Sequence, residues 1–199
     1  MQPVIATMSI TLNGVGAGTG VTEEHPFGDV PEITFFRWMH ETPDENKDAY
    51  EANVDAGAFI LGRHMFGPVK GEWTGDWRGW WGPNPPYHSP VFVLTHHPRE
   101  PIEMEGGMTF HFVTDGIEAA LERARDAAGA RPVHIAGGPS TTNSYLAAGL
   151  VDELLLNINP VVADRGIRLF DGVGPLDLEQ VSVSPRSLVT HVHYRVRRD

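Results

Sequence analysis

Val133-His-Ile-Ala-Gly-Gly-Pro-Ser-Thr-Thr142 decides how this chain is read. A short strand-forming run ends in two glycines, and hydroxyl-bearing residues follow where a helix would begin. The helical pattern runs on through Tyr145 and Leu146 to Gly149, and Ser140 or Thr141 is the expected N-cap. Paired glycines let the backbone come close to a ligand, while the free amides and dipole of a helix start attract phosphate. The same residues also suit a plain strand–helix turn. Taken alone, they leave both readings open.

Two neighbouring segments have the same design. Phe59-Ile-Leu-Gly-Arg-His-Met-Phe66 is a strand ending in glycine with a cation just beyond it. Arg63 at such a carboxyl end faces the edge where open α/β sheets bind ligands, and its guanidinium can fork onto a phosphate. A solvated surface arginine is the alternative. Val91-Phe-Val-Leu-Thr-His-His-Pro98 is a third strand ending in polar and potentially cationic groups. Three such strand ends predict a crevice along one sheet edge, suited to a dinucleotide.

The remaining segments fill in the fold. Val4 to Ile10 reads as a buried strand, followed by the glycine-rich residues 13–20. Pro31 opens an aromatic helical pattern (Ile33, Phe35, Phe36, Trp38, Met39) that stops before Pro43, and a polar helix covers Asp44 to Asp55. Thr109 to Val113 reads as a strand. Asp115 and Glu118 have capping-box spacing ahead of a helix carrying Ile117, Ala120, Leu121 and Ala124. Leu154 to Ile158 is another strand, and Leu178 to Val183 with Leu188 to Val196 alternate as a terminal antiparallel hairpin would. Strands alternating with helices, then a hairpin, predict an α/β fold: a mixed, mostly parallel sheet with helices on both faces, in one domain over residues 1–199. Gly67 to Pro90 is irregular and holds Trp73, Trp77, Trp80 and Trp81. A loop that long is functional or packs on its own aromatics.

Composition narrows the classes of function. A chain of 199 residues, 41% hydrophobic and 21% charged, has the make-up of a soluble globular domain. No apolar run approaches the roughly 18 residues of a membrane span, and the start Met-Gln-Pro-Val lacks signal-peptide character, so a cytoplasmic protein is expected. Cysteine is absent, which excludes disulfides, zinc-thiolate sites and thiol nucleophiles. Fifteen basic against 26 acidic residues give a formal charge of −11, which disfavours nucleic acid. An anionic small molecule then requires the few cations to be gathered locally. His191 and His193 share a strand face and His96 adjoins His97, but no carboxylate at ligand spacing joins either pair; no metal site is expected. Gly14, Gly16 and Gly20 approximate a dinucleotide fingerprint, but no helix follows them directly, so that reading is rejected.

The order Gly62-Arg63-His64-Met65-Phe66, Leu94-Thr95-His96-His97-Pro98, Ile135-Ala136-Gly137-Gly138 resembles dihydrofolate reductase and its relatives. Gly137-Gly-Pro-Ser-Thr141, Tyr145 to Leu154, Pro160-Val-Val162 and Arg168-Leu-Phe170 are more specifically similar to the RibD C-terminal reductase family, including its free-standing members. Met8 to Gly14 resembles that family's opening Ser-Leu-Asp-Gly motif. The resemblance implies a three-layer dihydrofolate reductase-like fold and NADPH as cofactor. It implies a small heterocyclic substrate, most like 5-amino-6-(5-phosphoribosylamino)uracil of riboflavin biosynthesis. It further implies Arg63 at the adenosine 2′-phosphate, with Gly62, His64 and Met65 beside the pyrophosphate. Thr95, His96 and His97 would lie at the adenosine, and Ala136, Gly137, Gly138, Pro139, Ser140 and Thr141 would form the pyrophosphate turn. Ala6 would stand beside the nicotinamide, and the stretch from Gly14 through Gly18 to Gly20 would be a mobile loop closing over the ring. A homodimer built through the C-terminal strands is also implied.

A hydride-transfer site must align the reacting carbons and organise a proton. Pro31-Glu-Ile-Thr-Phe-Phe-Arg37 is similar to the helix start that carries the acid of dihydrofolate reductases, which makes Glu32 the candidate acid; a dipole-favoured first-turn carboxylate is the alternative. Asn13 departs from the family's Asp: an amide can hydrogen-bond a substrate but cannot ionise. The alternatives are dihydrofolate reductase-type activity, a non-catalytic NADPH-binding module, or a reductase using F420 or a flavin.

Overall fold

A computed structural model describes residues 2–198. The chain begins with β1 (Val4–Thr11), β2 (Val15–Ala17), α1 (Ile33–Glu41), α2 (Lys47–Val54), β3 (Ala58–Gly62) and the short α3 (Arg63–Phe66). After the tryptophan loop come β4 (Val91–Leu94), β5 (Ile102–Glu103), β6 (Thr109–Val113), α4 (Ile117–Ala128), β7 (Val133–Gly137) and α5 (Pro139–Ala147). It ends with β8 (Glu153–Asn159), β9 (Ile167–Arg168), β10 (Asp177–Pro185) and β11 (Thr190–Arg197).

Nine strands form one sheet in the order β10-β11-β8-β1-β7-β3-β4-β6-β5. The six from β8 to β6 are mutually parallel; β11 and β5 join antiparallel, and β10 closes the hairpin with β11. This is the expected mixed sheet with its terminal hairpin. Alternating side chains give the sheet two faces. On one, Val4, Ala6, Ile60, Ile135 and Leu154 pack against Ala120, Leu121 and Ala124 of α4 and Tyr145 and Leu146 of α5. On the other, Phe59, Leu61, Val93 and Phe110 pack against Phe66 of α3, while α1 covers β1 through Phe35 and Trp38. Burying a side chain of this size stabilises by about 2 kcal/mol.

Two helix starts differ from expectation. Gly116, at φ +94°, occupies the cap of α4, a conformation that favours glycine; Asp115 turns away to pair with Arg123. Gly138 occupies the cap of α5 with Pro139 as its first residue, so neither Ser140 nor Thr141 caps it. The amides at that helix start therefore keep no side-chain partner.

Candidate cofactor and substrate site

Three strand ends meet on one edge of the sheet. β7 runs beside β3, with Leu61 opposite Gly137, and β3 runs beside β4, with Gly62 opposite Leu94. A Cβ on Gly62 would collide with Thr141 Oγ1, so the starts of α3 and α5 touch and a side chain here would have to displace Thr141. Gly137 has φ +114°, and its peptide to Gly138 is cis. A Cβ there would lie 3.0 Å from Met8 Sδ and 3.4 Å from Met65 Sδ, whereas Gly138 faces open space. The first bond into α5 runs from Thr142 N to Gly138 O at 3.0 Å, which leaves the Ser140 and Thr141 amides pointing out of the helix start.

Arg63 is half-buried beside this turn. It donates to Thr95 Oγ1 at 2.8 Å and to Gly71 O at 3.0 Å, and its Nε is buried with no partner. Its guanidinium carbon stands 3.2 Å from the centre of the Trp73 ring. Desolvation, then the charge of Arg99, lowers its pKa, yet a guanidinium stays protonated. His64, beyond it, is held below the usual imidazole range by desolvation and by Lys70 and Arg63. An acidic chain has thus gathered its cations locally, as an anionic ligand requires. His97 pairs with Glu72 at 3.2 Å, and its carbonyl accepts from Trp73 Nε1 at 2.8 Å; His96 is exposed. Trp77 Nε1 donates to Phe66 O, and Trp81 stacks on Phe110, so most of these rings pack the loop against the body.

The substrate side opens where the sheet splits. β1 pairs with β7 only as far as Ala6 opposite Ile135, then continues alongside β8 to Thr11. A gap opens at Thr7 and Met8, the kind of switch point where α/β sheets bind ligands. Ala6 is fully buried at its brink. Thr7 Oγ1 is buried there without a partner, and sequence reading had missed it. Gly16 brings the glycine-rich segment against Met8 and Pro139, but Val15 to Ala17 form a ribbon with β9. Gly14 makes the turn into that ribbon at φ +85°. Gly18 sits against the backbone of Phe27 and Val30. A groove of about 630 Å³ runs between Glu23 and the tryptophan loop, lined by Asp76, Trp77 and Arg78 among others.

The two proposed chemical residues sit differently. Glu32 is exposed at the start of α1, and its carboxylate makes no hydrogen bond or ion pair among the described residues. Asn13, the candidate substrate contact, has its amide engaged within the protein. Its Oδ1 accepts from Thr11 Oγ1 (2.8 Å) and Ala163 N (3.1 Å), and its Nδ2 donates to Ala163 O (2.7 Å). Reciprocal pairing with one residue's backbone needs an amide; a carboxylate would set two oxygens against each other. The Arg168-Leu-Phe170 motif has a comparable role. Asn143 of α5 accepts from Phe170 N and donates to Arg168 O, both at 2.8 Å, and holds Phe170 at φ +76°.

Comparison with known proteins fits this geometry. The family model for the RibD C-terminal domain matches residues 2–192. The chain belongs to the RibD C-terminal domain family. It is therefore a reductase-family protein, and the sheet order and strand-end turns above are this family's fold in the present sequence. Solved structures of similar fold include a protein from Shewanella sp. PV-4 provisionally assigned to riboflavin biosynthesis. It is 19% identical over 99% of this chain and 100% of that one, with a TM-score of 0.65. A pyrimidine reductase-like protein from Corynebacterium diphtheriae is 17% identical over 100% and 93%, with a TM-score of 0.59. Dihydrofolate reductase from Enterococcus faecalis, in complex with NADP(H), is 16% identical over 98% and 97%, with a TM-score of 0.57. A search of curated proteins finds no significant match. Among the described residues, no helix is long and apolar enough to cross a membrane.

Proposed function

We propose that this RibD C-terminal domain is an NADPH-dependent reductase of a small heterocycle, most like 5-amino-6-(5-phosphoribosylamino)uracil. The observation that carries the reading is the contact between Gly62 and Thr141, which brings Arg63 and the Gly137–Gly138 turn to one edge. The residues there fit the cofactor. Gly138 faces open space, the Ser140 and Thr141 amides leave a helix start uncapped, and a buried Arg63 Nε lacks a partner. Arg63 with Thr95 would take the 2′-phosphate, and the α5 start the pyrophosphate. His96 and His97 would border the adenosine. When bound, the reduced nicotinamide supplies the hydride.

The chain's own residues position and enclose. Ala6 and Gly137 let a flat ring enter the split between β1 and β7, and Met8 and Met65 wall it with soft apolar surface. Thr7 offers an unspent hydroxyl to the substrate, and Glu32, exposed at the start of α1, is the candidate acid. The exposed, unpartnered carboxylate of Glu32 favours a second reading, a non-catalytic NADPH-binding module. One assay separates them. NADPH absorbance is followed with the phosphoribosylaminouracil, dihydrofolate and related heterocycles, while nucleotide binding is followed by tryptophan fluorescence. The reductase reading expects oxidation with at least one compound and tighter binding of NADPH than NADH, a preference Arg63→Ala reduces. Tight NADPH binding without turnover favours the module, and equal affinity for both nucleotides counts against the Arg63 assignment.

A cytoplasmic homodimer joined through the C-terminal strands belongs to the same reading. It is supported by β10, an edge strand that exposes Val181 and Val183. Light scattering tests it: a mass of one chain would contradict it.

A further inference from the structure

We propose that Arg99 is a second anchor for the cofactor's 2′-phosphate, held beside Arg63 on the Trp73 indole, so that this end of the site selects a phosphomonoester dianion over a free hydroxyl. The inference rests on the NADPH reading above and adds a residue and a loop to it. Both guanidinium carbons lie over the Trp73 ring, at 3.2 Å for Arg63 and 4.8 Å for Arg99. Phe112 and Phe66 flank Arg99, 5.3 and 5.9 Å away. Among the described residues Arg99 makes no hydrogen bond and no ion pair. Arg63 spends two of its five N–H donors within the protein.

The platform is fixed at several points. Trp73 Nε1 donates to His97 O, Arg63 donates to Gly71 O, and Thr95 Oγ1 accepts from both Arg63 and His97 N. The tryptophan loop is thereby stitched to the end of β4 with both guanidiniums inside the seam. Arg99 disfavours the charge on Arg63, and Arg78 disfavours that on Arg99. Glu72 favours the charge on Arg63 and Asp76 that on Arg99, but among the described residues neither carboxylate pairs with either arginine, and Glu72 is 84% exposed and turned to His97. In a chain with 26 acidic residues, two cations on one ring that make no ion pair with a carboxylate among the described residues are arranged for an outside anion. Cation–π packing contributes only about 0.5–1 kcal/mol per arginine at an exposed site. A phosphomonoester near −2 at neutral pH matches two guanidiniums in charge and in acceptor oxygens.

The test titrates 2′-AMP, 5′-AMP, NADPH and NADH calorimetrically against the wild-type chain, Arg63→Ala, Arg99→Ala and Arg99→Lys. Arg99→Ala should weaken 2′-AMP and NADPH about tenfold and leave 5′-AMP and NADH unchanged, as expected for a lost charge-assisted hydrogen bond. Arg99→Lys should recover part of the loss because the point charge remains. If Arg99→Ala weakens both nucleotides of each pair equally, or neither, Arg99 only packs the loop and the inference is overturned. A wild-type chain that binds neither dinucleotide would instead sink the reductase reading. An undiminished NADPH preference in Arg99→Ala sinks only the second anchor.

Discussion

One face of the sheet carries two chemistries that meet at the split between β1 and β7. Under β3, β4 and β6 it is apolar: Phe59, Leu61, Val93 and Phe110 close on Phe66. Under β1, β8 and β11 it is a polar lattice. Ser9 donates to Phe35 O at 2.6 Å, and Asn159 donates to Ser9 Oγ and Ile10 O. His191 has Asn157 Oδ1 at 2.7 Å on one ring nitrogen and Asn46 Oδ1 at 2.8 Å on the other. A histidine in each half makes the contrast concrete. His191 has a side-chain amide beside each ring nitrogen, whereas His134 lies against Phe59 with a buried Nδ1 that has no partner among the described residues. The apolar half gains from area alone; the polar half is held by geometry and loses heavily if one partner goes missing. The candidate cleft lies between them, where Thr7 is the polar side's last side chain.

The largest expected effect tests the apolar half. Phe110→Ala should cost about 3–5 kcal/mol by denaturant titration, the cost of a cavity in a packed core; under 1 kcal/mol would show that this half is not close-packed. The second is a pH effect. Desolvation brings the His134 pKa down to about 4 from 6.5, with smaller opposing contributions from Asn53 and Asp55. The unfolded chain therefore takes up a proton that the folded chain refuses, so stability falls as pH drops from 6.5 to 4. The full loss is about 3 kcal/mol at most, and His134→Leu should flatten that limb. An unchanged pH profile in the variant would contradict the desolvated ring. Next, His191→Leu should lose about 1–3 kcal/mol by stranding the buried amide groups of Asn46 and Asn157 that faced its ring, and the double change with Asn157→Leu should be less than additive. Strict additivity would mean no lattice. The smallest effect belongs to the seam. Thr7→Val removes a buried, unpaired hydroxyl, so free-protein stability should stay within about 1 kcal/mol of wild type or rise. The KM for substrate should increase while nucleotide affinity holds; a weakened nucleotide instead would place Thr7 on the cofactor.

The same contrast explains what the sequence made legible. Strand ends such as Gly62-Arg63 and Gly137-Gly138 are contiguous, their glycines and cation carry local reasons, and the structure sets them side by side. The sheet, its terminal hairpin and helices on both faces followed from apolar runs and periodicity. The polar lattice did not. Alternation in β11 predicts His191 facing solvent, because nothing local says that Asn46, 145 positions earlier, covers it. The bonds of Asn13 to Ala163 span 150 residues, so no local signal announces them. Arg99 and Trp73 were separated by a loop without periodicity, so their stacking had no local signal. The misplaced caps at Asp115 and Ser140 have a simpler cause: a glycine beside each took the cap position instead.

A crystal soaked in NADP⁺ puts the whole account at risk in one measurement. The 2′-phosphate should be found on the Arg63 guanidinium and the pyrophosphate on the Ser140 and Thr141 amides, with the nicotinamide in the split beside Ala6 and Thr7. A nucleotide bound with its phosphates away from the α5 start, or with Arg63 still folded onto Gly71 and empty of phosphate, would contradict it.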